Sequence, residues 1–276
     1  MSKKLDSFVI PKDAKFPDLV SSTAVELLIK NPYAFYAKNI LKLKKLYRFK
    51  SSPDLADFGI FIHYILDQYS KSYCPKSFEE KTVTFCEIAK DALEKMNFQK
   101  QAFWMHKVES IAQEFIDFDE NRRCFLSNVW SEQKGSTLIK LASKNVTLTS
   151  IADRIELSKN GEVCILDYKT GIVPSNQDVQ SGLSPQLLVS SIIASKGGFD
   201  CLKGFVNPAK ITYVKLSSCS PYWQASDIIV ENLSDHLKQL VQLLEIFLDS
   251  GAELKFSPLG SAHSGYDEYA HLGRNI

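Results

Sequence analysis

The sequence lacks the cysteine patterns that cross-link small domains or bind metal clusters. Its six cysteines are scattered over 276 residues, and none of them forms a C-x-x-C pair. A disulfide framework is therefore not expected in a chain of this length. A zinc or iron–sulfur site would lack closely spaced ligands. We expect reduced thiols in a cytoplasmic protein.

Other absences narrow the functional class. No uninterrupted apolar run approaches the roughly 20 residues that span a bilayer, and the first residues lead into no apolar signal segment, so we expect no membrane partner. No G-x-x-x-x-G-K-[ST] phosphate loop is present, so no nucleotide-driven motor is predicted. The net charge of +1 favours no partner class, and a nucleic-acid surface would have to come from local charge placement.

The patterning of apolar residues predicts how the chain is organised. With 45% hydrophobic and 24% charged residues, the composition is that of a globular protein. Apolar residues recur at helical spacing in the first half, whereas β-branched residues and turn signals dominate after residue 131. We expect an irregular lead-in at 1–20 and one domain over 21–276. This domain would comprise a helical part (21–130), a sheet core with flanking helices (131–250) and a tail (251–276). The expected class is α/β (α+β), with a small mixed central sheet and a mainly helical N-terminal half.

A cluster of basic residues lies near the end of the first predicted helices. This stretch contains no acidic residue, and tyrosine and phenylalanine side chains accompany the charges. It predicts a surface that follows nucleic-acid phosphates. A solvated helix face and loop would account for the pattern equally well. The basic residues are Lys38, Lys42, Lys44, Lys45, Arg48 and Lys50.

Two carboxylates and a lysine lie on a predicted β-hairpin. Asn160-Gly161 is typical of a hairpin turn, so residues 151–157 and 162–169 are expected to pair. Residues two apart on a strand share a face, so Asp167 and Lys169 project together, and Asp153 can reach the same side. Carboxylate oxygens bind Mg²⁺ or Mn²⁺, and a neighbouring lysine can position water and add positive charge. The pattern predicts metal-dependent phosphodiester hydrolysis, although a D-x-K triplet alone also fits a surface ion pair.

The stretches around these residues resemble a known family. Asp153-Arg154-Ile155, followed by Leu166 to Gly171, is similar to the core of RecB-type PD-(D/E)XK nucleases, and most similar to the AddB-type nuclease domains of AddAB helicase–nucleases. Four further stretches also resemble that family: a helical entry at 22–37, a G-x-x-x-H motif at 59–63, a glutamine motif at 185–187 and a tail at 266–274. The resemblance implies a restriction-endonuclease-like PD-(D/E)XK core. It also implies a DNA exonuclease that acts on single strands or DNA ends in double-strand break repair and recombination.

The resemblance assigns roles to individual residues. It implies Mg²⁺ or Mn²⁺ as cofactor, bound by His63, Asp153 and Asp167. It implies that Asp153, Asp167, Lys169 and Gln186 are catalytic, and we expect Arg154 to contact DNA together with the basic cluster. Glu132 lies where related domains often carry an acid. Taken alone, His63 would be interpreted as a structural helix histidine and Gln186 as a polar residue at a helix start.

Some features depart from the family. Ser190 occupies the position of a common tyrosine, and Asn31 occupies the position of a cysteine that binds an iron–sulfur cluster in some AddB domains, so no cluster is expected. The chain has no helicase-like region, so the resemblance implies a nuclease module whose partners are DNA and an AddA-like helicase. The alternative is a catalytically weak or inactive scaffold that holds DNA or that helicase.

Overall fold

The structure is a computed structural model that describes residues 7–9, 11, 14–44, 54–74, 77–96, 101–204, 206, 208, 210–248 and 253–255. Its α-helices are α1 (Ser22–Lys30), α2 (Pro32–Phe35), α3 (Leu55–Lys71), α4 (Phe78–Met96), α5 (Gln101–Arg123), α6 (Asn176–Gln180), α7 (Gln186–Ser195) and α8 (Leu233–Leu248). A π-helical turn, Tyr36–Ile40, follows α2, and a 3-10 turn, Asp200–Leu202, follows α7. In the part of the chain described, no helix combines the length and apolar character needed to cross a membrane.

The strands are β1 (Ser7–Val9), β2 (Leu19–Ser21), β3 (Leu126–Lys140), β4 (Asn145–Ser158), β5 (Val163–Lys169), β6 (Lys210–Leu216), β7 (Trp223–Ile229) and β8 (Glu253–Lys255). A mixed six-stranded sheet has the order β2-β4-β5-β6-β7, with β3 on the other edge of β4. Strands β1 and β8 form a separate antiparallel pair.

Strand β4 organises the sheet because it changes partner along its length. One edge of β4 pairs with β3 from end to end. The other edge pairs first with β2, in parallel, over Thr147–Thr149, and later with β5, antiparallel, over Arg154–Leu157. Residues 150–153 therefore lie at a gap between β2 and β5. Backbone and side-chain groups of other elements can approach the sheet at this gap.

Two apolar layers cover the sheet. Helices α1, α7 and α8 form one core with residues such as Ile165 of β5. Helices α3, α4 and α5 form the other core with Leu166 and Tyr168 of the same strand. Successive side chains of a strand point to opposite faces, so a nearly continuous apolar run is what a strand buried on both faces requires. The candidate site lies where β5 leaves this doubly covered region.

The predicted fold class is confirmed, with a mixed sheet flanked by helices. The predicted turn at Asn160-Gly161 is also confirmed, and Gly161 has a φ of +87°. Two expected boundaries are wrong. The segment 1–20 is not wholly irregular, because it contains β1 and most of β2, and the helical part ends at Arg123, so that β3 already begins at Leu126. In the expected tail, only 253–255 is described, and the rest lies outside the described residues.

Candidate active site

The candidate site lies at the fork where β4 and β5 separate. Their ladder ends at the pair Arg154–Leu166, and the same register would next pair Asp153 with Asp167. Instead, Oδ2 of Asp153 accepts a hydrogen bond of 2.9 Å from the backbone N–H of Tyr168. A carboxylate thus replaces a backbone acceptor, the two strands diverge, and both acids lie at the fork.

A local irregularity in β3 and β4 brings Glu132 to the fork. Ala152 and Ile155 pack into the same core although they are three positions apart, an odd number, so the alternation of β4 is interrupted near Asp153. Opposite this point on β3, Glu132 adopts a φ of +47°, between the paired residues Ser131 and Gln133. Such a backbone costs roughly 1–3 kcal/mol for a residue other than glycine. Bulge-like irregularities of this kind re-aim side chains beside functional sites.

One imidazole and two carboxylates converge at the fork. The ligand atoms of His63, Glu132 and Asp153 lie within 4.8 Å of one another. His63, on α3, has Nε2 3.0 Å from the carbonyl oxygen of Tyr168, and that nitrogen must carry the proton because a carbonyl can only accept. Nδ1 lies 3.4 Å from Oδ2 of Asp153 and is the ring nitrogen that is available to a metal ion. A histidine oriented by a backbone carbonyl and combined with two oxygen donors suits a divalent cation.

A second group links Asp167, Lys169 and Gln186. The Nζ atom of Lys169 lies 2.7 Å from Oδ2 of Asp167 and donates to Oε1 of Gln186 at 3.1 Å. The Nε2 atom of Gln186, the first residue of α7, donates to Oδ1 of Asp167 at 3.0 Å. Each side chain is thus held by the other two, and Asp167 is only 2% exposed. The ammonium of Lys169 is therefore kept at the fork in a defined position.

The acids of the fork are poorly solvated. Burial raises the pKa of Asp153 well above its usual range, the charge of Asp167 raises it further, and the N–H of Tyr168 counteracts these effects. Burial also raises the pKa of Asp167 against the influence of Lys169, and that of Glu132 against the influence of His63. A bound divalent cation would offset this concentrated negative charge and displace the protons. The donor set therefore fits a metal ion.

The metal-donor group and the Asp167–Lys169–Gln186 group can serve one reaction. A divalent metal, when bound, supplies an acidified water and stabilises charge on a phosphodiester. His63, Glu132 and Asp153 are placed to hold such an ion. Lys169 can donate a hydrogen bond to a phosphate oxygen or an attacking water, and Gln186 keeps its ammonium oriented, which reduces the entropy lost on reaching the reactive arrangement.

The structure brings together most of the predicted site residues, but with a different grouping. His63 and Asp153 share the metal-donor group with Glu132, which lay outside the main predicted set. Asp167 is instead engaged by Lys169 and Gln186. Sequence spacing could not assign Glu132 to the metal-donor group, because its position there depends on a positive φ at a residue other than glycine.

The prediction that Arg154 contacts DNA is wrong. Its side chain is 2% exposed and lies beneath the fork. Its Nη1 atom donates to Oδ1 of Asp119 at 2.5 Å, and its Nε atom lies 2.8 Å from Oε1 of Glu156. The same guanidinium is 3.4 Å from the hydroxyl of Tyr168. Arg154 therefore joins β4 to α5 and does not face solvent.

The remaining predicted residues divide into two sets. Lys38, Lys42 and Lys44 are exposed, and their DNA contact stays a prediction. The other three residues of the basic cluster, Lys45, Arg48 and Lys50, lie outside the described residues.

Two positions in the matched motifs have clear physical explanations. A Cβ at Gly59 would lie 3.0 Å from Oγ1 of Thr170, so glycine permits the close approach of α3 to the end of β5. The hydroxyl of Ser190 lies 2.8 Å from that of Ser150 and donates to the carbonyl oxygen of Gln186, so it links α7 to β4.

Residues 19–265 match the family described as the PD-(D/E)XK nuclease superfamily, and the chain belongs to this superfamily. An uncharacterized protein of Rickettsia bellii is 34% identical over 274 residues, which cover 93% of this chain and 32% of that protein. An ATP-dependent helicase/deoxyribonuclease subunit of Streptococcus agalactiae is 22% identical over 205 residues, covering 68% of this chain and 18% of that protein. The chain thus spans about a third of the length of its Rickettsia relatives. The crystal structure of SSO0001 is similar with a TM-score of 0.40 and 13% identity, covering 94% of this chain and 86% of that one.

Proposed function

We propose that the chain is a metal-dependent DNA nuclease that hydrolyses phosphodiester bonds with Mg²⁺ or Mn²⁺. The observation that carries the proposal is the hydrogen-bonded set of buried Asp167 with half-buried Lys169 and Gln186, beside the donor group of the fork. We assign the metal to His63, Asp153 and Asp167, as the family resemblance implies, and we add Glu132 because its carboxylate lies with His63 and Asp153. Asp153, Asp167, Lys169 and Gln186 form the catalytic set in this proposal.

The type of nuclease, its pathway and its partner are proposed from similarity to known proteins. We propose an exonuclease that acts on single strands or DNA ends during double-strand break repair and recombination in the cytoplasm. The partner would be an AddA-like helicase. The support is the likeness to the Streptococcus helicase/deoxyribonuclease protein, together with the AddB-type motifs. In this proposal, residues 21–276 act as one nuclease domain.

A cleavage assay tests the activity. Single- and double-stranded DNA and a matched RNA, each labelled at the 5′ or the 3′ end, are incubated with Mg²⁺, Mn²⁺ or EDTA. We expect cleavage of DNA with either metal and none with EDTA. Lys169→Ala should lower the rate by at least 100-fold, because it removes the positioned ammonium. Lys159→Ala is the control, since Lys159 is exposed at the β4–β5 turn and carries the same charge.

Two outcomes would contradict the proposal. Cleavage by Lys169→Ala at the wild-type rate would place the activity elsewhere or in a contaminant. Cleavage that persists in EDTA would remove the metal from the reaction. The polarity of an exonuclease follows from which label, 5′ or 3′, is released first in a short product.

The alternative, a DNA-holding scaffold, is favoured by one observation. Ser190 stands where related nucleases commonly have a tyrosine, and its hydroxyl bonds Ser150 and Gln186. A scaffold would bind DNA in EDTA and leave it uncut in every metal. Lys38→Glu/Lys42→Glu should then weaken binding, and unchanged binding would argue against a role for these lysines.

A further inference from the structure

The β3–β4 hairpin continues beyond the fork and has one open face. Cross-strand partners include Lys134 with Ile151 and Leu138 with Thr147. Alternate residues of both strands, such as Val146, are buried in the core beneath α7. The residues between them are exposed or half-buried on the opposite side. We name this surface the hairpin face; it comprises Lys134, Ser136, Leu138, Lys140, Thr147 and Thr149.

The hairpin face has an unusual distribution of charge. Its six residues comprise two lysines, three hydroxyl side chains and one leucine that is 55% exposed, without a carboxylate. Residues 134–151 contain no carboxylate, and an acid lies just beyond them on each strand at the fork. Glu132 lies two residues before Lys134 on β3, and Asp153 lies two residues after the half-exposed Ile151 on β4. A surface that is basic along its length and acidic at one end suits a polyanion whose last phosphate meets a metal ion.

We propose that the hairpin face binds a single nucleic-acid strand and directs it into the fork, an inference that rests on the proposed nuclease function. From Asn145 to Asp153, β4 runs about 26 Å, and the three strands β2, β4 and β3 are about 10 Å wide. This strip is narrower than a duplex but accommodates one extended strand. The two lysines contact phosphates, the hydroxyls donate to phosphate oxygens, and Leu138 and Ile151 contact bases or sugars.

Charge-neutralised variants test the inference without requiring catalysis. Binding of a 20-nucleotide single strand is measured by fluorescence anisotropy in EDTA over a range of salt concentrations. Lys134→Gln/Lys140→Gln should weaken binding on the order of tenfold near 0.1 M salt. It should also lower the slope of log K against log salt by about 1.4, which corresponds to two phosphate contacts on single-stranded nucleic acid. The matched control is Lys159→Gln/Lys238→Gln, which removes two exposed lysines elsewhere.

A variant that removes an apolar side chain distinguishes contact with bases or sugars from contact with phosphates. Leu138→Ser should weaken binding several-fold and leave the salt slope unchanged, because no phosphate contact is lost. Ile246→Ser is its control, since Ile246 is similarly exposed, at 58%, on α8. All these positions are at the surface, so the variants should unfold at the same temperature as the wild type.

Three results would overturn the inference. These are wild-type binding by Lys134→Gln/Lys140→Gln, an equal loss in the lysine control, and tighter binding of duplex than of single strands. Failure of the nuclease proposal is distinguished by the cleavage assay. A chain that cuts DNA but binds normally after Lys134→Gln/Lys140→Gln refutes only the hairpin face. A chain that shows the expected binding pattern but never cuts refutes only the nuclease.

Discussion

Replacing Asp119 should destabilise the protein strongly, because this carboxylate neutralises buried guanidinium charge. Asp119 is fully buried on α5, and its two oxygens contact Arg154 at 2.5 Å and Arg123 at 2.6 Å. Asp119→Asn keeps the shape of the side chain and removes its charge. Removing one partner of a buried ion pair costs about 3–5 kcal/mol, because the remaining charge is left uncompensated. For a chain of this size, that corresponds to a fall in Tm of roughly 6–20 °C.

The measurement is guanidinium-induced and thermal unfolding in EDTA. The control is Asp235→Asn, which breaks an ion pair with Lys238 in which Asp235 is 57% exposed, and which should change stability by less than about 1 kcal/mol. A double variant, Asp119→Asn/Arg154→Met, should recover the part of the loss that comes from the unpaired Arg154, because Glu156 keeps Arg122 as a partner at 2.5 Å. Arg123 still lacks its carboxylate partner in the double variant, so the recovery should be partial. Asp119→Asn that stays within about 1 kcal/mol of the wild type would refute the reasoning.

Three further predictions address the site and the core. The folded protein holds a proton on Asp153 at pH values where the unfolded chain has lost it, so the unfolding free energy should fall as pH rises from about 4 towards the raised pKa. Asp153→Asn should reduce this slope in EDTA titrations, and an unchanged slope would contradict the assignment. Gln186→Ala should lower kcat for DNA cleavage by about 10–100-fold with little change in KM, whereas Gln180→Ala should not; an equal effect of both would exclude an orienting role. Gly135→Ala should destabilise the fold by about 1–3 kcal/mol, because its Cβ would lie 2.5 Å from the ring of Phe199. Gly171→Ala, where nothing lies within 4 Å, should be neutral in the same unfolding assay.

Local patterns predict the hairpin of the site well. Asn160-Gly161 and the apolar residues of β5 determine both the turn and the strand, so the pairing of β4 with β5 follows from local chemistry. The proximity of His63 on α3 and Gln186 on α7 is different, because it depends on two helices packed on opposite faces of the sheet. Only the resemblance to known nucleases predicted that both belong to one site.

The errors have physical causes. Arg154 follows Asp153 directly, so a solvent-facing role beside the site was plausible from the sequence. Its burial depends on Asp119 and Glu156, and Asp119 lies on a helix more than thirty residues earlier. Glu132 needed a strained backbone that no local pattern indicates. Strands β1 and β2 are each three residues long, and their pairing partners lie more than 100 residues away, so the local sequence offered little signal.

The pairing of β1 with β8 has a mechanical consequence. Ser7 lies opposite Lys255 and Val9 opposite Glu253, so the chain enters and leaves this ladder at the same end. Tension applied to residues 7 and 255 would load its hydrogen bonds one after another, which is the weak, unzipping geometry. The six-stranded sheet that carries the fork is a separate ladder. If tension acted on these two positions, β1 and β8 would part at low force and absorb the extension before the six-stranded sheet was loaded.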